Sequence, residues 1–208
     1  MLRLIADALT CQRGGRVVFS DLSFAATAGE AIQVTGPNGA GKSSLLRLIA
    51  GLVRAESGRL TLEGGDAEAS VSEQCHYCGH HDAFKGSLTV AENLSFWTDF
   101  LGGGGIAAPV AMERLGIGHL ADLPAGYLSA GQRRRLALAR LLTVSRPVWL
   151  LDEPTAALDV ASQGVLAGIM AEHVAAGGII LAATHGPLGL PVRDLSLARP
   201  ASAAPVAA

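Results

Sequence analysis

Nine residues, GPNGAGKSS at positions 36–44, carry the clearest chemistry in the chain. They fit G-x-x-x-x-G-K-[ST] without a mismatch, after the apolar run IQVT and before KSSLLRLIAGL, whose apolar residues recur at helical spacing. The glycines let the backbone curl until several amide N–H groups point at one place. A helix that begins near Lys42 adds the positive end of its dipole. This is chemistry for an oligophosphate, and a chance glycine-rich turn would lack both flanks. Gly36, Pro37, Asn38, Gly39, Ala40, Gly41, Lys42, Ser43 and Ser44 are therefore the candidate cradle for the phosphates of ATP. The spacing gives Lys42 reach to the β- and γ-phosphates and puts the Ser43 hydroxyl on Mg²⁺.

A second group lies about 110 residues further on. VWLLDE (148–153) is an apolar strand that ends in two carboxylates, and open α/β sheets bind ligands at that end of their strands. Asp152 is expected to hold the metal ion, directly or through water, and Glu153 to polarise an attacking water. A third group, LSAGQ (128–132), precedes the helix-like run QRRRLALARLLTVS, so Ser129 and the Gly131 amide stand at a helix N-terminus, a second anion site. One chain needs one phosphate cradle. Two make sense if each ATP is held between two copies of the chain.

Residues 75–81, CHYCGHH, raise the question of a metal or haem site. Haem attachment takes C-x-x-C-H, and Gly79 stands where that histidine would be. Strand alternation puts Cys75, Tyr77 and Gly79 on one face and His76 and Cys78 on the other, which turns the two cysteines apart. The stretch reads as a buried strand that enters a loop.

The elements that must position these groups alternate along the chain. Short strand-like pieces (LRLIADAL, VVFSDLSFAAT, EAIQVTG, GRLTLEGG) come first; helix-like segments (TVAENLSFWTDFL, APVAMERLGIGHL) follow, separated by the flexible run GGGG at 102–105. PVWLLDEP, SQGVLAGIMAEHVAAGG and IILAATH then read as strand, helix, strand. Near-continuous apolar strands between helices imply an α/β fold with a parallel sheet covered on both faces.

The order GPNGAGKSS, LSAGQ, LLDEP, AALD and a histidine after an apolar strand resembles the ATP-binding subunits of ABC transporters, over all but about the last ten residues. That resemblance implies a P-loop NTPase: an ABC-type ATPase with a RecA-like core, an antiparallel β subdomain and a helical subdomain. Residues 1–75 and 142–198 would form the core with its β subdomain, 76–141 the helical signature subdomain and 199–208 a disordered tail. It also implies that Asp159, in the AALD turn (156–159), lies near a partner's phosphate loop, and that His185 senses the γ-phosphate. Lys42, Glu153 and His185 become the catalytic candidates. The sequence departs from the family at three places. Ala130 stands for a usual glycine. His81 stands near the place of a glutamine that touches metal and water, and an imidazole offers no amide oxygen to Mg²⁺. Arg13 and Arg16 stand near the usual adenine-stacking aromatic. A guanidinium can stack on a base, so Arg13 is a candidate nucleotide contact with weaker base selectivity.

Phe84, Phe96, Trp97 and Phe100 cluster in a chain only 4% aromatic; those outside the core are candidates for the groove where the family receives a helix of its membrane subunit. The length, the stretch GHHDAFKGSLTVAENLSFW and the end ATHGPLGL resemble the subgroup that serves the haem exporter of c-type cytochrome biogenesis. Its implied partners are a second copy of the chain, head to tail around ATP, and integral membrane subunits, with haem or its carrier involved only indirectly. Its implied place is the cytoplasmic face of the bacterial inner membrane.

The bulk composition agrees. Mean hydropathy is +0.37, yet no apolar run approaches the ~20 residues that span a bilayer, so an apolar partner is expected instead. A net charge of −2 without a basic stripe argues against nucleic acid. Three cysteines suit a reducing compartment. An ABC-type ATPase outside transport, or one serving another cargo, is the alternative reading; a small-molecule phosphotransferase would have no use for LSAGQ or AALD.

Overall fold

The computed structural model describes residues 1–80 and 82–198. In chain order the elements are β1 (Arg3–Arg13), β2 (Arg16–Thr27), β3 (Ala31–Thr35), α1 (Lys42–Ile49), β4 (Ser57–Glu63), β5 (Cys75–Cys78), α2 (Val90–Leu101), α3 (Ala108–Arg114), α4 (Ala130–Thr143), β6 (Val148–Asp152), α5 (Val160–Ala175), β7 (Ile179–Ala183) and β8 (Arg193–Ser196).

Five parallel strands form the central sheet in the order β5-β6-β7-β3-β8. Its inner strands are apolar because both faces are covered. Every residue of VWLLD in β6 and of IILAA in β7 is buried. Alternation then sorts them. Val148, Leu150, Ile179 and Leu181 pack with Leu45, Leu46 and Ile49 of α1, while Trp149, Leu151, Ile180 and Ala182 pack with Leu136 and Leu138 of α4 and Leu166 and Met170 of α5. A separate antiparallel sheet, β2-β1-β4, adds Leu4, Leu9, Cys11 and Phe19 to the α1 side.

The helical segment hangs from capped ends. Thr89 and Glu92 form a capping box at α2, Ser129 and Gln132 another at α4, and Asp159 caps α5. Arg114 joins α3 to α5 through both oxygens of Glu172, at 2.7 and 2.8 Å.

Several elements differ from the sequence reading. β5 extends to Cys78 and pairs with β6, so 76–78 belong with the core sheet and the boundary expected at 76 falls inside a strand. The segment APVAMERLGIGHL is α-helical only to Arg114, because Gly116 turns the backbone left-handed (φ 63°), and it resumes as a single 3-10 turn at Gly118–Leu120. The run GGGG is tied down: Gly103 N–H donates to Thr98 O at 2.8 Å, Gly105 N–H to Thr143 O at 3.2 Å, and Gly103 O accepts from Ser145 N–H at 3.0 Å. β8 was not foreseen; its short sequence RDLS shows little apolar alternation, and Arg193 anchors it through Glu30 and the Ala25 carbonyl. The expected disordered tail, 199–208, lies outside the described residues.

Candidate nucleotide site

Three neighbouring strands deliver the site from their C-terminal ends. β3 leads into the 36–41 loop, β6 ends at Asp152 and Glu153, and β7, between them, runs out to Thr184 and His185. Together they line a cleft of about 530 Å³ that contains Arg13, Asn38, Gly39, Gly41, Lys42, Ser43, Ser44, Asp152, Glu153 and His185.

The loop depends on glycine at two close approaches. At Gly36 (φ 138°) a Cβ would lie 2.5 Å from the Leu197 carbonyl oxygen, and at Gly41 (φ 100°) it would lie 2.4 Å from Val18 Cγ1. Between them Ala40 is buried and its N–H donates to Pro37 O at 3.1 Å, so Gly36, Pro37 and Ala40 shape the loop without lining the cleft. Gly41 also caps α1 from a left-handed conformation, with no side chain over the amides of the first turn. Lys42 Nζ donates to Gly36 O at 2.8 Å and Pro37 O at 3.3 Å, which holds the ammonium over the same turn.

Across the cleft, Ser43 Oγ donates to Asp152 Oδ1 at 2.9 Å. Asp152 is 3% exposed, and its Oδ2 is buried without a hydrogen-bond partner. A buried carboxylate oxygen left over beside a hydroxyl is a donor set for a hard divalent cation, so these residues fit Mg²⁺. Glu153 follows in a left-handed conformation (φ 48°), its N–H donating to Ala183 O at 2.8 Å. His185 is exposed at the cleft.

Sequence reasoning missed Arg47, which also lines the cleft and donates from Nε to the Tyr77 hydroxyl at 3.2 Å. That hydrogen bond raises the arginine's pKa further, and burial raises that of Tyr77. The signal was available: Arg47 lies four residues after Ser43, on the same face of α1.

Ser129, Gly131 and Asp159 do not line the cleft. They gather elsewhere. Ser129 is the N-cap of α4, and a Cβ on Gly131 would stand 2.9 Å from the Ala157 carbonyl oxygen. Asp159 accepts from Ser162 N–H at 2.8 Å, and this bond holds its carboxyl below the usual range. His81 lies outside the described residues. In β5, His76 and Cys78 are buried on one face, while Cys75 and Tyr77 pack toward the other core.

The model of the ABC transporter family matches residues 19–156. The chain is 61% identical to the cytochrome c biogenesis ATP-binding export protein CcmA of Nitrobacter winogradskyi and 57% identical to that of Bradyrhizobium diazoefficiens, in each case over 94% of this chain and 98% of the relative. The chain belongs to the CcmA family of ABC transporter ATP-binding proteins. Solved structures agree on the fold of this CcmA-family chain. A putative ABC transporter ATP-binding protein from Pyrococcus furiosus superposes with a TM-score of 0.80 at 22% identity, covering 94% of this chain and 97% of that one. A bacterial Atm1-family exporter with ATP bound gives 0.76 at 23% identity, covering 94% of this chain and 37% of that one.

The loop geometry of the CcmA-family chain makes one prediction here. Gly41→Ala forces a Cβ into Val18 in a conformation that L-residues avoid. ATP affinity, measured by calorimetric titration, should fall at least ~10-fold, the equivalent of about 1.4 kcal/mol. Unchanged affinity would mean that the loop does not hold the phosphates.

Proposed function

We propose that this protein is the ATP-hydrolysing subunit of a membrane export complex that serves c-type cytochrome biogenesis. The observation that carries the reading is the convergence of Lys42, Ser43, Asp152, Glu153 and His185 on one cleft from three adjacent strand ends. The 36–41 loop and the first turn of α1 take the phosphates, Lys42 neutralises charge on the β- and γ-groups, and the Arg13 guanidinium offers a flat cation to the base. Ser43 Oγ and Asp152 would hold Mg²⁺, which when bound would neutralise phosphate charge. Glu153 orients a water and takes its proton as the water oxygen attacks the γ-phosphorus; ADP leaves, and Lys42 and His185 stabilise the charge that spreads over the transferring group. Ser129, Gly131 and Asp159 lie outside the cleft, so they serve a nucleotide held by another copy. Two chains meet head to tail, each completing the other's site.

The membrane partner docks on the helical segment. No helix among the described residues is long and apolar enough to cross a membrane. Phe96 and Phe100 are 47% and 70% exposed and stack at 6.0 Å. Beside them, Leu52, Tyr77, Trp97, Leu101, Arg140 and Arg146 line a cavity of about 420 Å³ suited to an inserted segment. In this reading the chain sits on the cytoplasmic face of the inner membrane, and haem or its carrier is handled by the subunits it drives. The test is a Lys42→Ala strain assayed for c-type cytochromes by haem staining. Their loss, to less than about a tenth, is expected, since removing the P-loop charge removes phosphate stabilisation; normal levels would remove the cytochrome assignment and leave the ATPase standing.

A further inference from the structure

The run Arg133–Arg134–Arg135 on α4 looks like a solvated basic face, yet its middle residue is 4% exposed. A buried guanidinium is tolerated only when its donors are met. Arg134 has five N–H groups; it makes four hydrogen bonds to carbonyl oxygens and one ion pair. Nε donates to Pro154 O at 3.2 Å, Nη1 to Gly79 O at 2.7 Å, and Nη2 to Asp152 O and Glu153 O at 2.8 Å each. Nη1 also stands 3.5 Å from Asp82 Oδ1, the one carboxylate of the set. Three of the five oxygens belong to the consecutive residues 152–154, centred on Glu153, whose left-handed backbone is unfavourable for any residue with a Cβ. The other two belong to the segment that leaves β5.

We propose that Arg134 is a positioning residue for hydrolysis: by holding three successive carbonyls it fixes the direction of the Glu153 carboxylate, and through Gly79 and Asp82 it ties that direction to the segment after β5. The geometry is specific to a fork. Lysine keeps the charge but has one nitrogen, which cannot reach oxygens spread over two separate segments. Glutamine is shorter and offers two N–H groups against five acceptors. In either variant the 153–154 backbone is free to relax away from the left-handed turn, and the Glu153 carboxylate moves with it. Asp152 stays in the β6–β7 ladder and on Ser43 Oγ, and the 36–44 cradle is untouched, so nucleotide binding stays. A misplacement of this kind reads as lost turnover rather than lost affinity.

The proposal rests on Glu153 as the base, so the test carries its own control. Purified parent, Arg134→Lys, Arg134→Gln and Glu153→Gln are compared for kcat and KM with MgATP, with turnover expressed per nucleotide-binding site counted by titration. Counting sites removes any unfolded fraction, which a merely structural role would change. Both Arg134 variants should lose at least ~10-fold in kcat per site with KM within about twofold. Turnover per site within twofold of the parent, or a rise in KM that accounts for the loss, overturns the proposal. If neither variant yields folded protein, Asp82→Ala decides: it removes one arm of the fork, and a ~3- to 10-fold fall in kcat at constant KM supports the proposal, whereas unchanged kcat overturns it. An active Glu153→Gln would instead remove the base assignment itself.

Discussion

Glu153→Gln should cut ATP turnover at least ~100-fold while leaving ATP affinity nearly unchanged. Glutamine has the size of glutamate and can still hydrogen-bond a water, but it cannot take a proton from it. Loss of a positioned general base costs typically 10²–10⁴ in rate. The groups around the phosphates are untouched. Lys42 remains over the loop through Gly36 O, and Ser43 remains on Asp152 Oδ1. The Glu153 N–H bond to Ala183 O and the Arg134 bond to Glu153 O are both backbone contacts and survive the change. ATP then binds and stays. If Ser129 and Gly131 complete the site of a second copy, the uncleaved γ-phosphate holds two copies together. Gel filtration with MgATP should move the variant from monomer to dimer mass, and withdrawal of nucleotide should reverse it. A variant that binds ATP and stays monomeric would defeat the reading of two half-sites. A variant that hydrolyses at the parent rate would defeat the base assignment.

The phosphate site was legible because its chemistry is local. A backbone that must curl around an oligophosphate and hand over to a helix leaves Gly, Lys and Ser at fixed offsets within nine residues, and a strand that must present carboxylates to the same place ends in them. Burial on both faces of the central sheet was legible for the same kind of reason, as unbroken apolar runs in β6 and β7. What the sequence hid depends on partners far along the chain. Arg134 resembles its neighbours in the RRR run, and only the packing of α4 against the ends of β5 and β6 distinguishes it. GGGG carries the composition of a flexible linker, but Thr98, Thr143 and Ser145 supply partners for its backbone. β8 has four residues and weak alternation; it is a strand because β3 lends it a ladder. The CHYC stretch, by contrast, was legible: alternation along the sequence already turned its cysteines apart, and the structure places Cys78 in one core and Cys75 against the other.

Two of its histidines should make the protein acid-sensitive in a narrow window. His76 is 3% exposed; burial, then the nearby Arg140 and Arg146 charges, pushes its pKa down to about 3. His173 stacks on Trp149 with ring centres 3.8 Å apart, and burial pushes it down to about 4 against an opposing pull from the backbone at Ile179 and Pro147. Unfolding restores each to its ordinary value near 6.5. Above that value neither state binds the proton, so full stability is present at pH 7. Below it the unfolded chain takes up protons that the folded chain refuses, so stability falls with pH until the folded values are reached. At pH 5 each histidine lies about 1.5 units below its unfolded pKa, which corresponds to ~2 kcal/mol per residue at most. The carboxylates Glu30, Glu73 and Asp159 are also held below their ordinary values, and because those values already lie below pH 5, what they contribute is lost at lower pH than this window. For a chain of this length 1 kcal/mol moves Tm by roughly 2–4 °C, so Tm should drop by ~10 °C between pH 7 and pH 5. His76→Gln and His173→Gln, melted over the same range, should each remove about half of that slope whatever they do to Tm at pH 7, because glutamine has no proton to gain. A Tm that stays flat from pH 7 to pH 5, or a slope that survives both substitutions, would mean that these imidazoles are reached by water and protonate in the folded chain.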